Sequence, residues 1–364
     1  MATKKDETIT IQEHLKVNGL VAHAFSPDGK YIAVSLKQDP TVEIYEINGF
    51  DSISKWKLIW KLKEQSQQIS ALSWSVENRL LTGSFDRSIL VWDFQNNKWK
   101  KDLVIIENER AIITGEWSKN GKKFAIGGGD ARAFIGYYDK VNEFWQTYKL
   151  QSCKSSVISV AFHPSGKVVG VGSTDNTFNL ITCYSPEADA NNDYKGTFSN
   201  IETKDECIFS ISEGFGWVEA SVFAPKGNQV VIAAHGGYVI TININGEEVQ
   251  KEQASGVNKL PYKQLKYINE NTLICGGYDQ KPAIYTLKDG KFQFNKFLEN
   301  SITGSQNTQD SKIQQLQSQM FNTSHGKKTG GIHTTPILNL QQYPTKDNLF
   351  STTDINGTIL FWEV

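Results

Sequence analysis

One pattern repeats through this chain and limits what it can fold into. The stretch Ser73–Phe94, SWSVENRLLTGSFDRSILVWDF, runs from an aromatic anchor through a turn, an apolar run, Gly-Ser and an Asp-Arg turn to a second apolar run ending in Trp-Asp. The same order starts again at Val21, Ile69, Ile112, Val157, Val218, Tyr262 and Ile337, which makes seven copies in phase. The anchors are Phe25, Trp74, Trp117, Phe162, Phe223, Tyr267 and Tyr343. Four of the six spacings are about 43–48 residues, near the period of roughly 40–45 at which four-stranded sheets repeat in a ring.

The turns have a mechanism. Pro27-Asp28-Gly29, Asn120-Gly121, Pro164-Ser165-Gly166 and Pro225-Lys226-Gly227 follow the anchors. Pro presets one turn angle and Gly accepts positive φ, so each reads as a hairpin connection. The second turn carries Asp86, Asp130, Asp175, Asp279 or Asp354, a residue that hydrogen-bonds the nearby backbone. Between turns lie short runs such as VVGVGS and VVIAA, apolar at nearly every position. Such runs are covered on both faces. Short antiparallel strands covered on both faces predict small sheets stacked on one another, an all-β seven-bladed propeller. Trp92-Asp93 is the best-preserved WD pair; it weakens to Tyr45-Glu46, Tyr138-Asp139 and Trp362-Glu363.

The last copy runs to Val364 with three strands, so its blade needs a fourth. Thr8–Val17 is strand-like and is predicted to supply it, closing the ring and removing an open sheet edge. Other outer strands are expected in Lys57–Lys63 and Phe144–Leu150. The chain thus reads as a single propeller over 1–364 with two inserts, 184–216 between blades 4 and 5 and 288–336 between blades 6 and 7. In the second, Ile313, Leu316, Met320 and Phe321 fall on one helical face, predicting an amphipathic helix over about 310–322. Its other face carries Gln314, Gln315, Gln317 and Gln319 and no charge, which disfavours a membrane-surface helix. A short helix of this kind either packs on its own blade or docks on another protein.

Composition excludes several classes. Net charge is −1 over 364 residues, so no overall field draws the chain to nucleic acid or an anionic membrane. No run is long and apolar enough to span a bilayer, and the N-terminus shows no secretory h-region. Cys153, Cys183, Cys207 and Cys275 are dispersed, which argues against a disulfide framework or zinc knuckle and suits a reducing compartment. Gly127-Gly128-Gly129-Asp130 looks like a phosphate loop but occupies the turn position of the repeat. The six histidines do not cluster at ligand spacing, and no nucleophile–base motif occurs. The expectation is a non-enzymatic protein without catalytic residues, metal or cofactor. Lysines gather at 55–63, 98–101 and 119–123, as a solvated blade edge or a polyanion-binding face. Arg110 and Arg132 sit near strand ends where loops open onto a propeller face, suited to a charged partner.

With repeats and inserts placed, the chain resembles the WD-repeat subunit (subunit 1) of the actin-related protein 2/3 complex. The resemblance rests on LVAHAFSPDGKYIAVS, NERAIITGEWS, FAIGGGDARAFIGYYDKVNEFW and FGWVEASVFAPKGNQVVIAAH, and on the two inserts. It implies a non-catalytic scaffold subunit in the cytoplasmic actin cytoskeleton, supporting nucleation of branched filaments. Its partners would be actin-related proteins, small subunits of the complex, the actin filament and nucleation-promoting factors. Ile313, Leu316, Met320 and Phe321 would face actin or a neighbouring subunit, and Arg110 and Arg132 would meet acidic segments of activators. The insert here is richer in Gln and poorer in charge than the family's usual form. The alternative is a generic WD-repeat adaptor, such as a ubiquitin-ligase substrate receptor or trafficking-coat component.

Overall fold

The fold is that of a computed structural model, which describes residues 12–14, 19–50, 53–96, 98–150, 153–190, 192–212, 214–245, 248–255, 260–298 and 333–364. Among these residues the strands form seven antiparallel four-stranded sheets. Their first strands are Leu20–Phe25, Ile69–Trp74, Ile112–Trp117, Val157–Phe162, Val218–Phe223, Tyr262–Asn269 and Ile337–Gln342, the seven segments marked by the sequence repeat. Blades 1 to 7 are numbered in that order. Each first strand packs against the first strands of both neighbouring blades, blade 7 meeting blade 1. The result is a closed ring around a central cavity.

Exposure follows position along the radius. The second strands Lys123–Gly128, Val168–Ser173, Gln229–Ala234 and Leu349–Asp354 are buried at every residue. They lie between two neighbouring blades, which is why their sequences do not alternate. The rim strands Lys57–Leu62, Lys98–Val104 and Phe144–Leu150 are largely exposed and carry the lysines that discourage edge-to-edge pairing. Apolar clusters fill the wedges between blades. Phe25, Ile32, Ile359 and Phe361 join blades 1 and 7, and Ile44, Leu72 and Trp92 join blades 1 and 2. Each such side chain contributes about 1.5–3 kcal/mol when fully buried.

The small residue before the second turn has a steric cause. A Cβ on Gly83 would lie 2.5 Å from Ile112 Cγ2, on Gly127 2.6 Å from Val157 Cγ1, on Gly172 2.6 Å from Val218 Cγ1, and on Gly276 2.7 Å from Ile337 Cγ2. In four blades, therefore, glycine makes room for the first apolar residue of the next blade.

The ring closes as expected. Gln12–His14 pairs antiparallel with the third strand of blade 7, in the register Gln12↔Leu360, Glu13↔Ile359 and His14↔Thr358. Side chains fasten the same joint. Tyr343 donates its hydroxyl hydrogen to Gly29 O at 2.7 Å, and His23 Nε2 lies 2.6 Å from Ser351 Oγ. Gly29 has φ +70°, and a Cβ there would sit 2.7 Å from the Tyr343 hydroxyl.

Both segments read as inserts contain a rim strand. Lys204–Ile211 is the fourth strand of blade 4 and Lys291–Phe297 that of blade 6. A rim strand covers only one side, so KDECIFSI and KFQFNKF lack the continuous apolar signal of inner strands. Before the blade 4 rim strand, Pro186–Asp189 forms one helical turn. The predicted helix over 310–322, with Ile313, Leu316, Met320 and Phe321, lies outside the described residues.

Candidate functional site

The strand order sorts the loops onto two faces. Each first strand begins on the face that also carries the turn between strands 2 and 3 of its blade. Arg110, two residues before Ile112, and Arg132, at the end of a strand 2–3 turn, therefore share one face at blade 3. Arg110 is exposed, and the site of a Cβ on Gly129 is 3.4 Å from its own Cβ. Arg132 is braced. Its Nη1 donates to Glu107 O at 2.7 Å and lies 3.4 Å from Asp130 Oδ2, while Nη2 lies 3.4 Å from Glu109 Oε1. Its side chain keeps 30% exposure, so it is not closed off from solvent.

The same face carries exposed apolar groups. Trp217 is 47% and Leu260 51% exposed, with Tyr278 and Phe85 less so. Trp217 lies against His235, ring centroids 5.0 Å apart, and His235 meets Tyr278 edge-on. Beneath them the buried Glu219 carboxylate takes Lys263 Nζ at 2.7 Å and His235 Nδ1 at 2.6 Å. Exposed aromatics above a satisfied ion cluster that reaches the wall of the central cavity form a surface suited to protein contact.

Inside the ring is a cavity of about 740 Å³ lined by the seven first strands, with Glu116, Lys119, Glu219, Lys263 and Lys266 on its wall. Burial pushes the Glu116 carboxyl up and the Lys119 ammonium down, each partly offset by neighbouring opposite charge. Among the described residues no group of three or more His, Cys, Asp or Glu is placed to hold a metal ion.

Two arrangements imitate catalytic geometry. In blade 7, Thr352 Oγ1 lies 2.7 Å from His333 Nε2, and His333 Nδ1 lies 3.1 Å from Asp354 Oδ2. Trp362 Nε1 donates to the same Thr352 Oγ1 at 2.8 Å, so the hydroxyl hydrogen is left for His333. Thr352, His333 and Asp354 are all fully buried. The network ties the loop entering blade 7 to the hairpin that Asp354 caps through Asn356 N and Thr358 N. Burial acts to raise the Asp354 carboxyl, but the His333 bond and these backbone donors hold it below the ordinary value. His23 and Ser351 form the second pair, likewise buried, with burial pushing His23 down to about 3. Neither hydroxyl can be reached by a substrate, and both arrangements act as clasps.

Sequence reasoning missed the blade 7 network because His333 stands 21 residues before Asp354. The available signal was the equivalent loop-to-turn spacing in blade 2, where Asp86 accepts from Ser66 N 20 residues earlier. There Trp92 Nε1 donates to Thr82 Oγ1 at 3.0 Å. The turn aspartates do bond local backbone as expected, Asp86 accepting from Ser88 N and Asp175 from Thr177 N, and they also reach the loop entering the blade, Asp130 accepting from Glu109 N and Asp175 from Lys154 N. Among the clustered lysines, Lys57, Lys98, Lys100 and Lys101 are exposed at the rim. Lys123 departs from the solvated reading. It is fully buried, donating to Asp189 Oδ2 at 2.5 Å and Cys183 O at 2.7 Å. The segment after strand 3 of blade 4 folds back and brings it that partner.

Among the described residues, seven four-stranded blades in a closed ring, with Trp92-Asp93 and its weaker counterparts on third strands, define the chain as a seven-bladed WD-repeat β-propeller. The family model described as WD domain, G-beta repeat matches residues 56–93 and 144–181. The chain is similar along nearly its whole length to proteins named actin-related protein 2/3 complex subunit 1. It is 26% identical to subunit 1B of Arabidopsis thaliana over 97% of this chain and 96% of that protein. It is 25% identical to subunit 1A-B of Xenopus laevis over 94% of each, and 24% identical to subunit 1 of Saccharomyces cerevisiae over 90% of this chain and 85% of that protein. The resemblance read from repeats and inserts is borne out across these plant, frog and yeast relatives.

Proposed function

We propose that this propeller is a non-catalytic scaffold subunit of an actin-related protein 2/3 complex, supporting nucleation of branched actin filaments. What carries the reading is the end-to-end similarity to proteins bearing that subunit's name in plant, frog and yeast. The partners are then two actin-related proteins, the small subunits, nucleation-promoting factors and the mother filament, in the cytoplasmic actin cytoskeleton. A propeller suits this role because a rigid disc offers two loop faces and a rim for several partners at once. The apolar residues Trp217, Leu260 and Tyr278 support one protein contact on the face that carries the arginines. Arg110 and Arg132 meet acidic activator segments, Arg110 as the exposed charge and Arg132 as a braced one. Ile313, Leu316, Met320 and Phe321 are assigned to actin or a neighbouring subunit on their sequence stripe alone.

Depletion and add-back test the reading. Extract depleted of this chain should lose activator-stimulated branched nucleation, and the complex purified through a tag on this chain should restore it. Branching that persists at full rate after depletion would overturn the assignment.

A further inference from the structure

Two of the four cysteines converge on one buried amide. Asn179, in the third strand of blade 4, donates from Nδ2 towards Cys153 Sγ at 3.8 Å, and its Oδ1 lies 4.0 Å from Cys207 Sγ. Cys207 sits in the rim strand of blade 4, in register with Ile181. Asn179 and Ile181 alternate along their strand and so share a face, the one where Cys153 joins the apolar cluster between blades 3 and 4. Cys153 precedes Val157, the first residue of blade 4, and lies outside any strand. Residues distant in sequence therefore bring two sulfurs to the two polar atoms of one side chain, although the Cys207 thiol also donates to Phe209 O at 3.3 Å.

Exposure separates this pair from the other cysteines. Cys207 is exposed and Cys153 partly exposed, whereas Cys183 and Cys275 are buried. Burial pushes the Cys183 thiol up to about 12 and raises Cys275 as well, leaving both unreactive. An oxidant in solution reaches one pair and not the other.

We propose that Cys153 and Cys207 form a reversible disulfide when the protein meets a peroxide, locking the rim strand of blade 4 to the connection from blade 3. The Cys207 sulfur, as thiolate, bonds to one peroxide oxygen. The O–O bond breaks, and the departing oxygen takes protons and leaves as water. Cys153 sulfur then attacks the resulting sulfenic acid at sulfur, the S–O bond breaks, and a second water leaves. Two thiols give up two electrons and two protons, and one hydrogen peroxide becomes two waters. An S–S bond of about 2.05 Å requires the Asn179 amide to turn aside and Cys153 to approach the rim strand. Burial also raises the Cys207 thiol, so the reaction should accelerate as pH rises, since the thiolate is the nucleophile.

The test uses the whole unmodified protein. It is reduced, freed of reductant, treated with hydrogen peroxide, alkylated and digested without reductant for mass spectrometry. The expected result is one linked peptide pair containing Cys153 and Cys207, lost on adding dithiothreitol and absent from Cys153→Ser and Cys207→Ser. Amide hydrogens of Lys204–Ile211 should exchange several-fold more slowly in the oxidised form. Cys207 found as sulfinic acid with Cys153 still alkylated, or Cys207 linked to Cys207 of a second copy, would overturn the proposal.

Discussion

Single side chains carry the joints of this ring. Lys123 and Asp189, both fully buried, pair across two blades and anchor the segment before the rim strand of blade 4. Removing one partner strands the other charge, so Lys123→Met should destabilise the protein by about 3–5 kcal/mol. The double variant Lys123→Met with Asp189→Leu should recover most of that loss in denaturant titrations. His163 sets a pH limit. Ser165 N donates to its Nδ1 at 3.0 Å, so Nδ1 carries no proton and Nε2 donates to Gly227 O at 3.0 Å. Protonation would place two donors face to face. Burial is the main reason that His163 is lowered to about 4 and His23 to about 3. Below pH 6.5 the unfolded chain takes these protons and the folded one does not, so stability is complete above pH 6.5 and falls as pH drops towards 4. Each histidine contributes on the order of 3 kcal/mol to that fall, and His163→Gln should flatten its share of the melting-temperature profile. Little of this was legible in sequence. Lys123 reads as one of a run of lysines, and His163 as a residue beside a turn proline, because Asp189 and Gly227 lie in other blades.

Strands were the most legible level, and their limits were physical. Inner strands announce themselves because both faces are covered and most residues are apolar or small. The rim strands Lys204–Ile211 and Lys291–Phe297 bury one side, carry charge and were read as inserts. Glycines at the ends of second strands stood out in sequence, but their reason is the next blade. Gly172→Val should force branched carbons into Val218 and cost about 1–3 kcal/mol, seen as a lower denaturation midpoint with an unchanged slope. A variant as stable as the parent would mean that the blades can separate there without cost. Arg110 and Arg132 were placed on one loop face, as their strand-end positions suggested, but the acceptors bracing Arg132 could not be read ahead. Arg110→Glu should weaken binding of an acidic activator peptide several-fold at low salt and less at high salt, measured by fluorescence anisotropy. No change would remove Arg110 from the activator contact.

At the scale of the molecule, a closed ring has no terminal blade, and the strand Gln12–His14 is what closes it. Deleting residues 1–18 should lower the melting temperature and produce concentration-dependent association, because the freed edge of blade 7 is a template for another chain. Light scattering on the truncated protein would detect it, and a stable monomer would contradict this role for the strand. Seven blades were legible from period alone, since each copy supplies the same three inner strands. The proposed partners rest on resemblance, because partner contacts leave no repeat in the sequence. The most direct test is the native mass and composition of the assembly purified through a tag on this chain. One copy of the propeller should be found with one copy each of two actin-related proteins and several small subunits. A ubiquitin ligase, a trafficking coat, or the propeller alone would contradict it.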